Sequence, residues 1–167
     1  LCDVLDRSSD ALASAEPVVK QDLALLQQAA LSAEALTAAL QNPDLSLDDV
    51  RAVMDRTDRV LATAADVSSR MADVFDRVNR LAGGKLGFVS DRLRRINQSI
   101  GKQRAVIAQI RAALDKGEQP ARQLVDRLNE LSKEAADGIG DLLGRYDSEI
   151  APRIRQAFAN ARQDADR

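Results

Sequence analysis

Apolar residues recur at alternating steps of three and four along most of the chain. From Val50 the series runs Val53, Thr57, Val60, Ala64, Val67, Met71, Val74, Val78 and Leu81, with only Thr57 off the pattern. Because an α-helix takes 3.6 residues per turn, this spacing gathers the apolar positions on one narrow face, like the seam of a coiled coil. A second series reads Leu86, Val89, Leu93, Ile96, Ile100, Gln103, Ile107, Ile110 and Leu114, interrupted by Gln103 alone. The first part of the chain keeps a seven-residue row at Leu5, Leu12, Val19, Leu26, Ala33 and Leu40, beside a weaker row that contains Ser8 and Asp22. The last part shows Leu124, Leu128, Leu131 and Ala135, then drifts by about one residue through Ile139, Leu142, Tyr146, Ile150, Ile154 and Ala157.

Three breaks separate these stretches. Gln41-Asn42-Pro43-Asp44 cannot continue a helix, and Ser46 with Asp49 three residues on resembles a capping box with Asp in place of Glu. Gly83-Gly84-Lys85-Leu86-Gly87 offers a C-cap and a turn. Lys116-Gly117-Glu118-Gln119-Pro120 sets Gly just past one helix and Pro in the first turn of the next. The predicted helices are therefore about 1–42, 46–82, 88–116 and 119–165. Short connections make sequential neighbours antiparallel, so the expected fold is all-α: an elongated, coiled-coil-like, up-down-up-down four-helix bundle with both termini at one end. The last helix, about 70 Å long if continuous, should overhang as a stalk. Pro152 should bend it by removing the bond to the Ser148 carbonyl, and Pro17 should either kink the first helix at Ala13 or mark a restart.

Composition narrows the chemistry. The 167 residues include no His, no Trp and one Cys, with 45% apolar and 2% aromatic residues. A core of Ala, Leu, Val and Ile suits helices packed along their lengths better than an enclosed pocket. The commonest general acid-base residue is missing, and lone Cys2 offers neither an internal disulfide nor a cysteine-rich zinc site. Asp126, Glu130 and Glu134, and Asp137 with Asp141, read as a solvated helix face rather than a metal site. A phosphate loop ending at Gly84-Lys85 would need Gly at Asn79 and Ser or Thr at Leu86. Gly138, Gly140 and Gly144 fall within a helical pattern and suggest close helix approach or bending. No catalytic, cofactor-binding or metal-binding residue is predicted, and the chain reads as a non-enzyme that needs no cofactor. Its longest uninterrupted apolar run, Leu23 to Leu26, is far short of a membrane span, so this piece reads as soluble.

Charge is unevenly spread. Residues 85–116 carry a net +6, against −4 for residues 1–43 and −2 each for 44–84 and 117–167. A basic third helix between acidic neighbours can specify which helices pack together. The competing reading makes Arg92, Arg94 and Arg95 a contact for an anion or a partner. Without interleaved aromatics or an overall basic charge, nucleic acid is not expected. Gln103 reads as a seam residue that sets register. Asn97-Gln98-Ser99 matches a glycosylation triplet but lies mid-helix.

The run Ile107 to Gly117, followed by Arg145-Tyr146-Asp147-Ser148-Glu149-Ile150-Ala151-Pro152-Arg153, resembles the extracytoplasmic helical region of the YhgE/Pip (phage infection protein) family and the related EsaA-type membrane proteins of type VII secretion. The resemblance covers roughly residues 96–155, and its distinctive piece is Tyr146, Asp147, Ser148, Glu149 and Ile150 with Pro152. It implies a segment of a larger, membrane-anchored bacterial protein, lying outside the cytoplasm between membrane spans. It carries over no catalytic residues. The expected function is a non-enzymatic ectodomain acting as a spacer or as a docking surface for a protein partner, phage or secretion related. The alternatives are a ligand-sensing four-helix bundle and an intracellular coiled-coil scaffold. The narrow seam can be filled within the chain or by a second copy, which leaves a homodimer open.

Overall fold

The computed structural model describes the backbone of residues 2–166 and the side chains of residues 18–164 and 166. The early part of the first apolar row, the side chain of Pro17 and any role of Cys2 lie outside the described residues. The elements are α1 (Cys2–Gln41), α2 (Leu47–Leu81), α3 (Gly87–Asp115), α4 (Arg122–Arg145), a π-helical turn (Tyr146–Ile150) and α5 (Ala151–Ala165). The first helix is thus one element, with no restart at residue 17. Among the described residues, α1 and α3 each pack against both α2 and α4. This is an antiparallel four-helix bundle in which sequence neighbours are spatial neighbours. The last helix packs on α1 and α2 and meets the start of α3, where Arg153 lies 5.8 Å from the Phe88 ring centroid.

Local chemistry sets the boundaries. The Ser46 hydroxyl accepts from the Asp49 amide at 3.1 Å, and Asp48 and Asp49 occupy the first turn of α2, where the helix dipole favours carboxylates. At the second break, Gly83 and Gly84 take φ of 63° and 86°, a left-handed conformation that glycine adopts freely. The Asn79 side-chain oxygen accepts from the Leu86 amide at 2.8 Å, closing the turn. Pro120 does not sit in the first turn of α4 as expected. It precedes Ala121, the N-cap, so the chain enters the helix two residues later.

The buried face of α2 differs from the predicted seam. Val50, Thr57, Ala64, Val67 and Met71 are buried as expected, but Met54, Leu61, Ser68 and Phe75 are buried as well, in place of the fully buried Val53, Val60 and Val74 that the spacing predicts. Val74 and Leu81 are each 49% exposed. The chain offers apolar pairs at 53/54, 60/61 and 74/75, and spacing alone cannot choose within a pair. Packing against both α1 and α3 puts the bulkier Met54, Leu61 and Phe75 inside. In α3 the predicted seam holds from Val89 to Ile110, with Ser90, Ser99 and Val106 also buried.

Polar groups tie the helices in register. Thr57, the off-pattern residue of α2, donates to the Ser32 carbonyl on α1 at 3.3 Å. Asn97 donates to the Ala65 carbonyl at 2.8 Å and the Ser68 hydroxyl at 2.9 Å, which commits the amide of the glycosylation-like triplet to the α2–α3 interface. Ser99 donates to the Leu131 carbonyl at 2.8 Å, and Gln103 reaches the same carbonyl at 3.3 Å. The Gln103 amide oxygen is buried without a hydrogen-bond partner.

The predicted single last helix is broken by the π turn, and the apolar drift explains why. From Leu142 the buried positions step by four to Tyr146, Ile150 and Ile154. At about 100° per residue, three such steps would carry the stripe roughly 120° around a regular α-helix. A wider turn, with the Ala151 amide bonded to the Tyr146 carbonyl five residues back, returns it to the core. Pro152 follows within the first turn of α5, where its missing amide costs little.

Two measurements probe these details. Of the α4 glycines, a β-carbon at Gly138 would come within 3.2 Å of the Ile96 side chain, whereas Gly140 and Gly144 have open space. Gly140→Ala and Gly144→Ala should each raise unfolding free energy by about 1 kcal/mol in urea titrations, through helix propensity, while Gly138→Ala gains less or loses. Gln103→Leu removes an unsatisfied buried acceptor and should stabilise the monomer by about 1 kcal/mol, read from the same titrations.

Candidate functional site

The residues singled out by sequence do not converge on one site. Arg92 pairs with Asp141 of α4 at 3.3 Å, and Arg94 pairs with Asp76 of α2. Arg95 is exposed and, among the described residues, has no ion pair. The three side chains thus diverge rather than forming an anion cradle. Further along α3, Arg104 meets Asp58 at 3.1 Å and Arg111 meets Asp55, while Arg51 of α2 reaches back to Asp115 at 3.0 Å. The basic helix therefore spends much of its charge on its two neighbours. Each pair is half exposed and individually weak, but wrong neighbours would set like charges together. The Asp126, Glu130 and Glu134 row is exposed, and among the described residues no acidic or cysteine cluster could hold a metal ion.

The Tyr146–Pro152 motif has a structural account. Tyr146 and Ile150 are buried, at 2% and 1% exposure, because they face the core from the π turn. Lys20 of α1 lies 5.5 Å from the Tyr146 ring centroid and pairs with Asp147 at 2.8 Å. Glu149 pairs with Arg145 at 2.7 Å. That guanidinium stacks 4.1 Å from the Phe88 ring centroid, with Arg153 at 5.8 Å from the same ring. Arg153 also donates to the Lys85 carbonyl at 3.1 Å, which fastens α5 to the α2–α3 turn. Ser148 and Pro152 are exposed.

The surface with the shape of a binding site lies at the opposite end, where the sequence was read only as turns. An open cleft of about 510 Å³ runs between the α1–α2 and α3–α4 connections. Leu40, Leu45, Leu47, Leu114, Pro43 and Pro120 supply most of its apolar wall, with Asn42, Gln119 and Glu118 among its polar groups. Leu45 and Leu47 are 36% and 44% exposed. The two prolines keep both connections out of helical conformation, and the cleft lies between those connections. The legible signal was two leucines flanking the Ser46 cap, in a segment too short to bury them. Its volume falls in the range of ligand and side-chain pockets. It is open to solvent, and Glu118 is the one charged residue among those that line it.

One helix has an unexpected surface. Val18–Gln41 is long and apolar enough by composition to cross a membrane, with a mean hydropathy of 1.3, and 44% of that window is buried in the bundle. Counting uninterrupted apolar runs overlooked it, because Gln27, Gln28, Ser32, Glu34 and Thr37 interrupt the apolar residues there.

No family model, curated protein or solved structure matches this chain.

The Asp76–Arg94 pair makes a pH-dependent prediction. The hydrogen bond from Arg94 holds the Asp76 carboxyl below its ordinary range. Its folded value is lower than its unfolded one, so the stabilisation is complete above the ordinary carboxylate range and is lost as pH falls through the folded value. The coupling between Asp76→Asn and Arg94→Gln, measured by double-mutant cycle, should be favourable at pH 7 and vanish as pH falls below the ordinary carboxylate range and through the lowered folded value.

Proposed function

We propose that this chain is a non-enzymatic, elongated ectodomain of a bacterial membrane protein, which holds a docking cleft away from the membrane and presents it to a protein partner. The observation that carries this reading is the polarity of the bundle. The α5 segment, packed on α1 and α2 beside the α2–α3 turn, lies at one end, and the apolar cleft lies at the other. The 35 residues of α2 set these ends apart by about 50 Å. A spacer needs such a length, and a long, thin bundle supplies it with few residues. The resemblance of residues 96–155 to the YhgE/Pip region supports the membrane-anchored, extracytoplasmic placement and a partner related to phage adsorption or secretion.

The test uses the full-length parent in its own cells. A cysteine placed at Asp44 should react with a membrane-impermeant maleimide in intact cells, and reaction only after lysis would overturn the placement. A photo-crosslinking amino acid at Leu47 should give a discrete adduct with another protein, while the same group at exposed Gln98 should not. Equal crosslinking from both positions would remove the cleft as the docking surface.

A further inference from the structure

We infer that the outer face of α1 is a self-association surface, on which a second copy of this chain packs its own α1 antiparallel about a two-fold axis near Gln27. Between Val18 and Gln41 this helix carries only three charges, Lys20, Asp22 and Glu34, in a chain that is 30% charged. Asp22 is half-buried on the inner side, where burial raises its pKa against the opposing effect of Arg70. The outward residues are otherwise Val18, Ala, Gln and Leu, and Leu31 is 58% exposed, the highest value among the exposed large apolar residues. The exposed faces of the other three long helices are laced with charge, as at Arg56, Arg59 and Asp66 on α2 or Arg127, Glu130 and Lys133 on α4.

The pattern of this face specifies its occupant. Lys20, Gln27 and Glu34 follow one another at seven-residue intervals on one flank, and Ala24, Leu31 and Ala38 form a second such row. In an antiparallel two-fold pair, equivalent flanks meet each other. A dyad at Gln27 therefore sets Lys20 against Glu34 of the second copy, and Glu34 against its Lys20. The same operation brings Leu31 over Ala24 of the second copy within one residue of register, a large side chain over a small one. No parallel arrangement pairs both charges. Lys20 already contacts exposed Asp147 in its own chain, and such an exposed pair is weak enough to share its cation. The face runs only about 27 Å from Lys20 to Ala38, less than a standard interface spans, so the association is weak and suits copies concentrated by a shared membrane or scaffold.

The experiment is sedimentation of the whole chain over increasing concentration, with helicity checked by circular dichroism. The wild type should shift reversibly to a dimer, and Leu31→Glu should remain monomeric with unchanged helicity. Lys20→Glu and Glu34→Lys should each weaken the dimer severalfold, and the double variant should restore it. In a Cys2→Ser background, Gln27→Cys should form a disulfide-linked dimer on mild oxidation, whereas exposed Gln98→Cys should not. A monomer at all concentrations, a larger oligomer, or a charge-reversed double variant no better than the singles would overturn the proposal. Flotation with phosphatidylcholine vesicles in place of dimerisation would assign the face to lipid and overturn it equally.

Discussion

Apart from Phe75 and Tyr146, no aromatic side chain is fully buried between these helices, and the rest of the structure depends on that constraint. The fully buried side chains are mostly Leu and Ile, with Met54 and a lining of Ala at positions such as Ala33 and Ala64. Small aliphatics bury little area each, so enough apolar surface leaves water only if the contact is long. Length in turn demands that register be kept over many turns. The bonds from Thr57, Asn97 and Ser99 to carbonyls of neighbouring helices do this, because each has a partner at only one axial offset.

Charge then decides neighbourhood. The ladder of Arg92, Arg94, Arg104 and Arg111 reaches acidic residues on α2 and α4. The diagonal helix, α1, carries almost no charge along the described part and makes no such ladder. Two recognition devices thus coexist in one bundle: ionic pairing around α3, and apolar or hydroxyl contacts around α1. The proposed docking cleft lies where both run out, at the α1–α2 and α3–α4 connections.

Much of this was legible in the chain. Helix number, antiparallel order and the α3 seam followed from spacing, because a narrow face repeated over many turns has one structural meaning. The choice between Val53 and Met54, or Val74 and Phe75, was not legible, since it depends on two neighbours at once and local periodicity sees neither. The π turn was half legible: the drift through Tyr146 and Ile150 showed a mismatch, but not whether the stripe or the backbone would yield. The cleft was hidden because a loop between helices reads as polar punctuation, and Leu45 and Leu47 matter only once the opposite connection faces them. Arg92 and Arg94 were rightly singled out as charged, but their partners were a matter of tertiary placement.

The π turn has one more implication. It stores one residue beyond what a continuous α-helix would need between Leu142 and Ile154. A chain shortened by one residue there could close into ordinary α-helix with α5 still facing the same way, whereas the same deletion in α2 would rotate everything after it out of the core. The bundle therefore has a single place where its length is adjustable without changing its phase. That place lies at the junction of α4 and α5, where α5 turns onto α1 and α2.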